Sequence, residues 1–179
     1  APDANPRARQ RRADEFAMSG FARPALEDLL ATIGRLLPTR RADAKTAALP
    51  ERDAALGERL AAEWLEARGY RIAARNLHLG PDEADLVVVE PGGPPFVLAI
   101  VEVKSSRNAA APAHHRIDRG KRQRMIRLAR QLVSCEALRD AFVRFDAVSV
   151  DLSRDPARLE HLPGCFEADW PTDRRGRRR

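Results

Sequence analysis

An α/β fold, in which helices pack on a mixed sheet, is predicted for this 179-residue chain by three patterns. Apolar residues recur at helical spacing over 53–68 and stop at Gly69. Three short strand-like runs fall between residues 70 and 104, two of them flanking a turn rich in Pro and Gly. A second helical pattern over 118–133 then leads into the apolar run 142–150. The order helix, three strands, helix, strand is one that a mixed sheet covered by helices accommodates.

Taken in order, residues 24–37 carry Leu26, Leu29, Leu30, Ile33, Leu36 and Leu37 at helical spacing, bounded by Pro38, which predicts a short helix. Over 53–68, Leu56, Leu60, Ala61, Trp64 and Leu65 share one face, and Gly69 supplies a left-handed stop. Residues 70–75 read as a strand, 85–90 as a buried one and 96–104 as another. The last two form a hairpin about Pro91, Gly92, Gly93, Pro94 and Pro95. A polar loop over 108–117 precedes a helix whose N-cap is Asp118 and whose inner face is Met125, Leu128, Ala129, Leu132 and Val133. Residues 142–150 form the next strand and 158–162 a short final one.

Composition narrows the function classes. Aromatic residues are 5% of the chain, too few for a base-stacking platform. The longest apolar run, 96–101, is far short of the ~20 residues a spanning helix needs, and no N-terminal run resembles a signal peptide, so a cytoplasmic protein is expected. The chain opens on Ala1, and Met18 offers an alternative start. Cys135 and Cys165 are too few for a disulfide framework and read as packing residues.

The net charge of +6 is unevenly placed. Residues 1–50 carry 9 basic and 6 acidic groups, 51–170 carry 18 and 19, and 171–179 carry 5 and 1. This divides the chain into a largely flexible basic arm with a short helix (1–50), a nearly neutral folded domain (51–170) and an Arg-rich disordered tail (171–179). Arms of this kind add unspecific phosphate affinity or simply solubilise.

Two ionisable positions interrupt the apolar hairpin. Alternation places Glu102 and Lys104 on the face of Leu98 and Ile100, and antiparallel pairing brings Asp85, read as the start of the neighbouring strand, to meet them. Converging carboxylates repel, so one keeps its proton unless a cation shares the site. A hard divalent ion such as Mg2+ or Mn2+ satisfies Asp and Glu oxygens and leaves positions for water and phosphate. Lys104 would then stabilise charge growing on a phosphate, which is phosphodiester hydrolysis. The same spacing also fits a metal-free ion pair at a strand end.

Further short motifs follow in order along the chain: Gly57-Glu58, Gly69-Tyr70-Arg71-Ile72, Arg75-Asn76, Glu83-Ala84-Asp85-Leu86, Val101-Glu102-Val103-Lys104, Lys121 heading a helix, and Arg144-Phe145-Asp146. Together they resemble the YraN family of bacterial proteins over roughly residues 53–167. That family is similar to the restriction-endonuclease-like superfamily and to archaeal Holliday-junction resolvases. The resemblance implies an α/β/α core, metal ligation by Asp85, Glu102 and the carbonyl of Val103, Lys104 beside the attacking water, and Glu58 as an additional acid on the first helix. A helical wheel independently puts Glu58 about 20° beyond Leu65, at the rim of the apolar face, where it either reaches the site or borders the core. Two departures from the family pattern are Asp82, a negative charge near a site meant for phosphate, and Ser105-Ser106 before Arg107.

Residues 116–130 carry seven basic groups against Asp118. Lys121, four residues before Met125, faces inward at the helix start and approaches the site. With Arg122, Arg124 and Arg127 it makes a candidate surface for a phosphate backbone. Arg124, Arg127 and Arg130 are expected to point outward. His114 and His115 are read as exposed, and Arg144 with Asp146 as an internal ion pair. The expected function is Mg2+-dependent hydrolysis of DNA, branched or otherwise structured, the alternative being a nucleic-acid-binding module of the same fold without turnover. Nucleic acid, DNA before RNA, is the expected partner. No membrane is expected, and a homodimer is admitted.

Overall fold

The computed structural model describes residues 26–36, 49–92, 96–108 and 117–168. Helices α1 (Leu26–Arg35) and α2 (Leu49–Glu66) precede strands β1 (Arg71–Leu79), β2 (Asp82–Val89) and β3 (Val97–Ser106). Helix α3 (Arg119–Ser134) then leads through a 3₁₀ turn (Glu136–Leu138) to β4 (Phe142–Asp151) and β5 (Arg158–Phe166). The strands form one mixed sheet in the order β1-β2-β3-β4-β5. Only β3 and β4 run parallel, because α3 carries the chain back across the sheet between them.

Alternation along the strands sends side chains to two cores. Leu86, Val88, Ala99, Val101, Val148 and Val150 pack under Ala61, Ala62 and Leu65 of α2. Val87, Val89, Leu98, Ile100, Phe145 and Ala147 pack under Met125, Leu128, Ala129 and Leu132 of α3, with Leu29 and Ile33 of α1 beside them. This is the expected arrangement, a sheet with helices on both faces. Residues 1–25 and 37–48 of the arm, the tail, His114, His115 and the tip of the β2–β3 turn at Gly93, Pro94 and Pro95 lie outside the described residues.

Asp118 caps α3 as expected, its carboxylate accepting from Lys121 N at 2.9 Å. Gly69 has φ 86°, the left-handed stop after α2. Four readings need correction. Helix α2 begins at Leu49, with Pro50 in the first turn, where its missing N–H costs nothing. Helix α1, assigned to the arm, buries Leu29 and Ile33 completely against the core. Strand β1 runs past residue 75 to Leu79 and turns through Gly80-Pro81 into β2, which starts at Asp82, not Asp85. Strand β5 runs past residue 162 to Phe166, and Pro163 is tolerated there because β5 is an edge strand.

Candidate active site

A fork in the sheet makes the site. The β2–β3 ladder runs from Val89↔Leu98 to Leu86↔Val101 and stops. Beyond it, the first half of β2 stays with β1 and the second half of β3 stays with β4. Opposite the end of that ladder, Asn76 takes a left-handed φ of 48°. It breaks the alternation of its strand and of the partner: Leu86 belongs to the α2 core, yet Ala84, two residues away, belongs to the α3 core. Asp85 lies between them and enters the fork.

There it meets β3. Val103 N donates to Asp85 Oδ2 at 2.6 Å. A strand residue turns its N–H and C=O to the same side, so the Val103 carbonyl faces Asp85 as well. Glu102 is 3% exposed on the α3 face, and Lys104 Nζ donates to its Oε1 at 2.6 Å. Lys121 comes down from the first turn of α3, its Nζ 2.9 Å from Glu102 Oε2, 3.7 Å from Asp85 Oδ1 and 3.2 Å from Glu83 Oε1. From the opposite face α2 contributes Glu58, hydrogen-bonded by Asn76 and within electrostatic range of Lys121, Glu102 and Glu83.

Gly57 makes that approach possible. A Cβ there would lie 2.5 Å from the Ser105 Cβ, so only glycine lets α2 sit this close to the end of β3. Ser105 Oγ donates to Asp53 O at 3.0 Å and Arg107 pairs with the Asp53 carboxylate at 2.8 Å, fixing the same contact. The departure Ser105-Ser106-Arg107 therefore docks the helix bearing Glu58.

Four carboxylates (Glu58, Glu83, Asp85, Glu102) face two ammonium groups (Lys104, Lys121), leaving two negative charges when all are ionised. The protons record the imbalance. Burial, then repulsion by Glu102, pushes the Asp85 carboxyl up to about 7. Burial also raises Glu58, whereas its bond to Lys121 holds exposed Glu83 below the usual carboxylate range. Burial disfavours the Lys121 ammonium, but the adjacent Glu102 carboxylate and the nearby Asp85 charge outweigh that and raise it.

The donor set fits a hard divalent ion. Glu102 Oε2 is buried without an aligned hydrogen bond, although Lys121 Nζ is 2.9 Å away, so that approach is electrostatic. Among the described residues no three His, Cys, Asp or Glu side chains enclose a metal by themselves. Two carboxylates and a main-chain carbonyl form an open set, which suits an ion that keeps several waters.

The basic helix differs from expectation. Lys121 is 6% exposed and belongs to the acidic cluster. Arg127 does not point freely outward: its Nη2 is 2.6 Å from Asp82 Oδ1. Asp82 is 2% exposed, and Arg127 neutralises it. Arg122 Nε donates to Ile117 O at 2.8 Å. Arg124, which helps hold the Glu83 and Asp118 carboxyls low, stays beside the fork. Arg144 and Asp146 do form the internal pair, at 2.8 Å. Asn76 and Glu83 were not singled out as site residues; Asn76, a non-glycine residue at the end of a strand-like run, was the available signal.

The model of the family described as "Uncharacterised protein family UPF0102" matches residues 57–150, from Gly57 within α2 to Val150, one residue before the end of β4 at Asp151. The chain belongs to this family, the YraN family. It is 38% identical over 120 residues to a UPF0102 protein of Solibacter usitatus (strain Ellin6076), covering 65% of this chain and 87% of that relative. With a UPF0102 protein of Bifidobacterium longum (strain NCC 2705) it shares 31% over 124 residues, 65% of this chain and 94% of that one. The UPF0102 match takes in Glu58, Asn76, Asp85, Glu102, Lys104 and Lys121, so all the residues of the fork lie inside the shared region.

Proposed function

We propose that this protein is a divalent-metal-dependent nuclease that hydrolyses phosphodiester bonds in DNA, with branched or structured DNA as its substrate. The observation that carries the reading is the fork itself, where Asp85 and Glu102 converge beside Lys104 with more negative charge than the lysines balance. Asp85, Glu102 and the Val103 carbonyl would hold Mg2+ or Mn2+. The ion would supply an acidified water and polarise a phosphate oxygen.

The chain's own residues do the rest. Lys104, with 49% of its side chain exposed, reaches solvent and stabilises negative charge on the phosphate. Glu58 stands across the fork with a raised proton affinity, suited to accept or return a proton. Arg124 and the first turn of α3 border the fork and attract the backbone. No helix among the described residues is long and apolar enough to cross a membrane.

The test is cleavage of branched and linear DNA with Mg2+ or Mn2+. Lys104→Ala should lower the rate roughly 100-fold or more, and Asp85→Ala should remove specific Mn2+ binding in calorimetry. Undiminished cleavage by Lys104→Ala would sink the mechanism. A second reading, binding without turnover, draws on the position of Lys121, an internal cation among the carboxylates. It predicts salt-sensitive DNA binding and no metal-dependent cleavage.

A further inference from the structure

The two carboxylates among the candidate metal ligands each have one oxygen engaged by the protein and one turned to Lys121. Asp85 Oδ2 accepts from Val103 N at 2.6 Å, leaving Oδ1, which is 3.7 Å from Lys121 Nζ. Glu102 Oε1 accepts from Lys104 at 2.6 Å, leaving Oε2, which is 2.9 Å from the same ammonium. Only 7% of the Lys121 side chain is exposed, whereas its third partner, Glu83, 3.2 Å away, is 48% exposed. The ammonium thus stands between the oxygens a metal would use, that of Glu102 buried and that of Asp85 partly exposed, and a carboxylate at the rim.

From this arrangement we infer that Lys121 is a displaceable counter-ion: it neutralises Asp85 and Glu102 in the metal-free protein, competes with the divalent ion for their free oxygens, and so sets the metal affinity. The inference rests on the metal-dependent reading above. Without a cation, the two carboxylates would repel one another and strain the fork. With a divalent ion on the same oxygens, the ammonium is repelled, and Glu83 keeps it at the rim. Lys121 is a positioning residue in this scheme. It offsets the negative charge of the two carboxylates until the metal arrives, at the expense of weaker binding.

The inference predicts opposite shifts in two quantities. Lys121→Met should lower the melting temperature in chelator, because the carboxylates lose their cation. It should also tighten Mn2+ binding in calorimetry, roughly tenfold or more, because the competing charge is gone. Lys121→Arg, which keeps the charge, should bind Mn2+ about as weakly as the wild type. A merely structural lysine would move stability and affinity in the same direction. If Lys121→Met does not fold, Lys121→Gln serves the same comparison.

Equal or weaker Mn2+ binding by the Met or Gln variant overturns the inference and leaves the metal reading standing, as does an Arg variant that binds as tightly as Met. Binding by the variant where the wild type shows none supports it most strongly. Absence of Mn2+ binding in wild type and variants alike removes the metal reading, and this inference with it.

Discussion

Asp146 is completely buried, and its carboxylate is surrounded by donors: Arg144 at 2.8 and 3.0 Å, His161 Nε2 at 2.9 Å and the Gly164 N–H at 3.0 Å. It fills the irregularity where β4 and β5 shift register between Phe145 and Ala147. Burial opposes its charge, but the bonds from His161 and Arg144 outweigh burial and hold the carboxyl below its ordinary 3.8. A lowered carboxyl stabilises the fold at pH values above the unfolded value, and that contribution disappears as pH falls through the folded value. Asp146→Asn should therefore cost about 3 kcal/mol at pH 7, since it leaves Arg144 short of a partner in the interior. Urea unfolding at pH 7 and in progressively more acid buffers checks this, and the gap between wild type and variant should narrow below about pH 4. Arg127→Ala is a second case at this scale. It leaves Asp82 buried at 2% exposure without its cation, so stability should be lost, read as a lower urea midpoint. DNA affinity should hardly change, and a variant that loses affinity while keeping stability would restore Arg127 to the phosphate surface.

The contact between α2 and the end of β3 decides whether Glu58 faces the fork. A Cβ on Gly57 meets the Cβ and Oγ of Ser105 at 2.5 and 2.9 Å, so Gly57→Ala should push the helix outward and cost about 1–3 kcal/mol. The obstruction is a side chain, so the double variant with Ser105→Gly should recover much of that loss. Failure of the double variant to recover would place the strain elsewhere. The same elements show what periodicity can reveal. Glu102 and Lys104 were readable because alternation fixes their side of the sheet, Asp85 because the antiparallel order of the two strands brings it to the end of their ladder, and Lys121 because a helix puts it one turn from Met125. Asn76 and Glu83 were not, since their places depend on one left-handed residue and on the Gly80-Pro81 turn, a backbone event that leaves no periodic trace. Strand β1 was cut short for the same reason. The apolar stripe of α1 was plain, but an amphipathic stripe does not say what covers it, and Leu29 and Ile33 proved to be core. Arg127 shows the converse error: a charge on an outward-reading helix position found a buried acid 45 residues away in sequence.

Charge divides the molecule between chemistry and affinity. Because α1 packs on the core, the folded body reaches back to Leu26, and residues 26–168 carry a net +1. Residues 1–25 carry +2 and residues 169–179 carry +3, and each of these two segments contains five arginines. The fork lies wholly within the body and is itself negative before a cation enters. Under the proposed function, its attraction for a phosphate backbone would rest on the metal, on Lys104 and on the first turn of α3, whereas the terminal arginines lie outside that geometry in sequence. Each phosphate they neutralise contributes roughly 0.9 to the slope of log affinity against log salt. Removing residues 1–25 and 169–179 should accordingly flatten the salt dependence of DNA binding and weaken binding most at low ionic strength, by filter binding or anisotropy across a salt series. Mn2+ affinity, which the proposed function places on Asp85 and Glu102 with Lys121 as competitor, should stay within about threefold of the full chain. An unchanged salt slope would return phosphate contact entirely to the body. A loss of Mn2+ affinity on truncation would mean instead that the terminal segments help to build the fork.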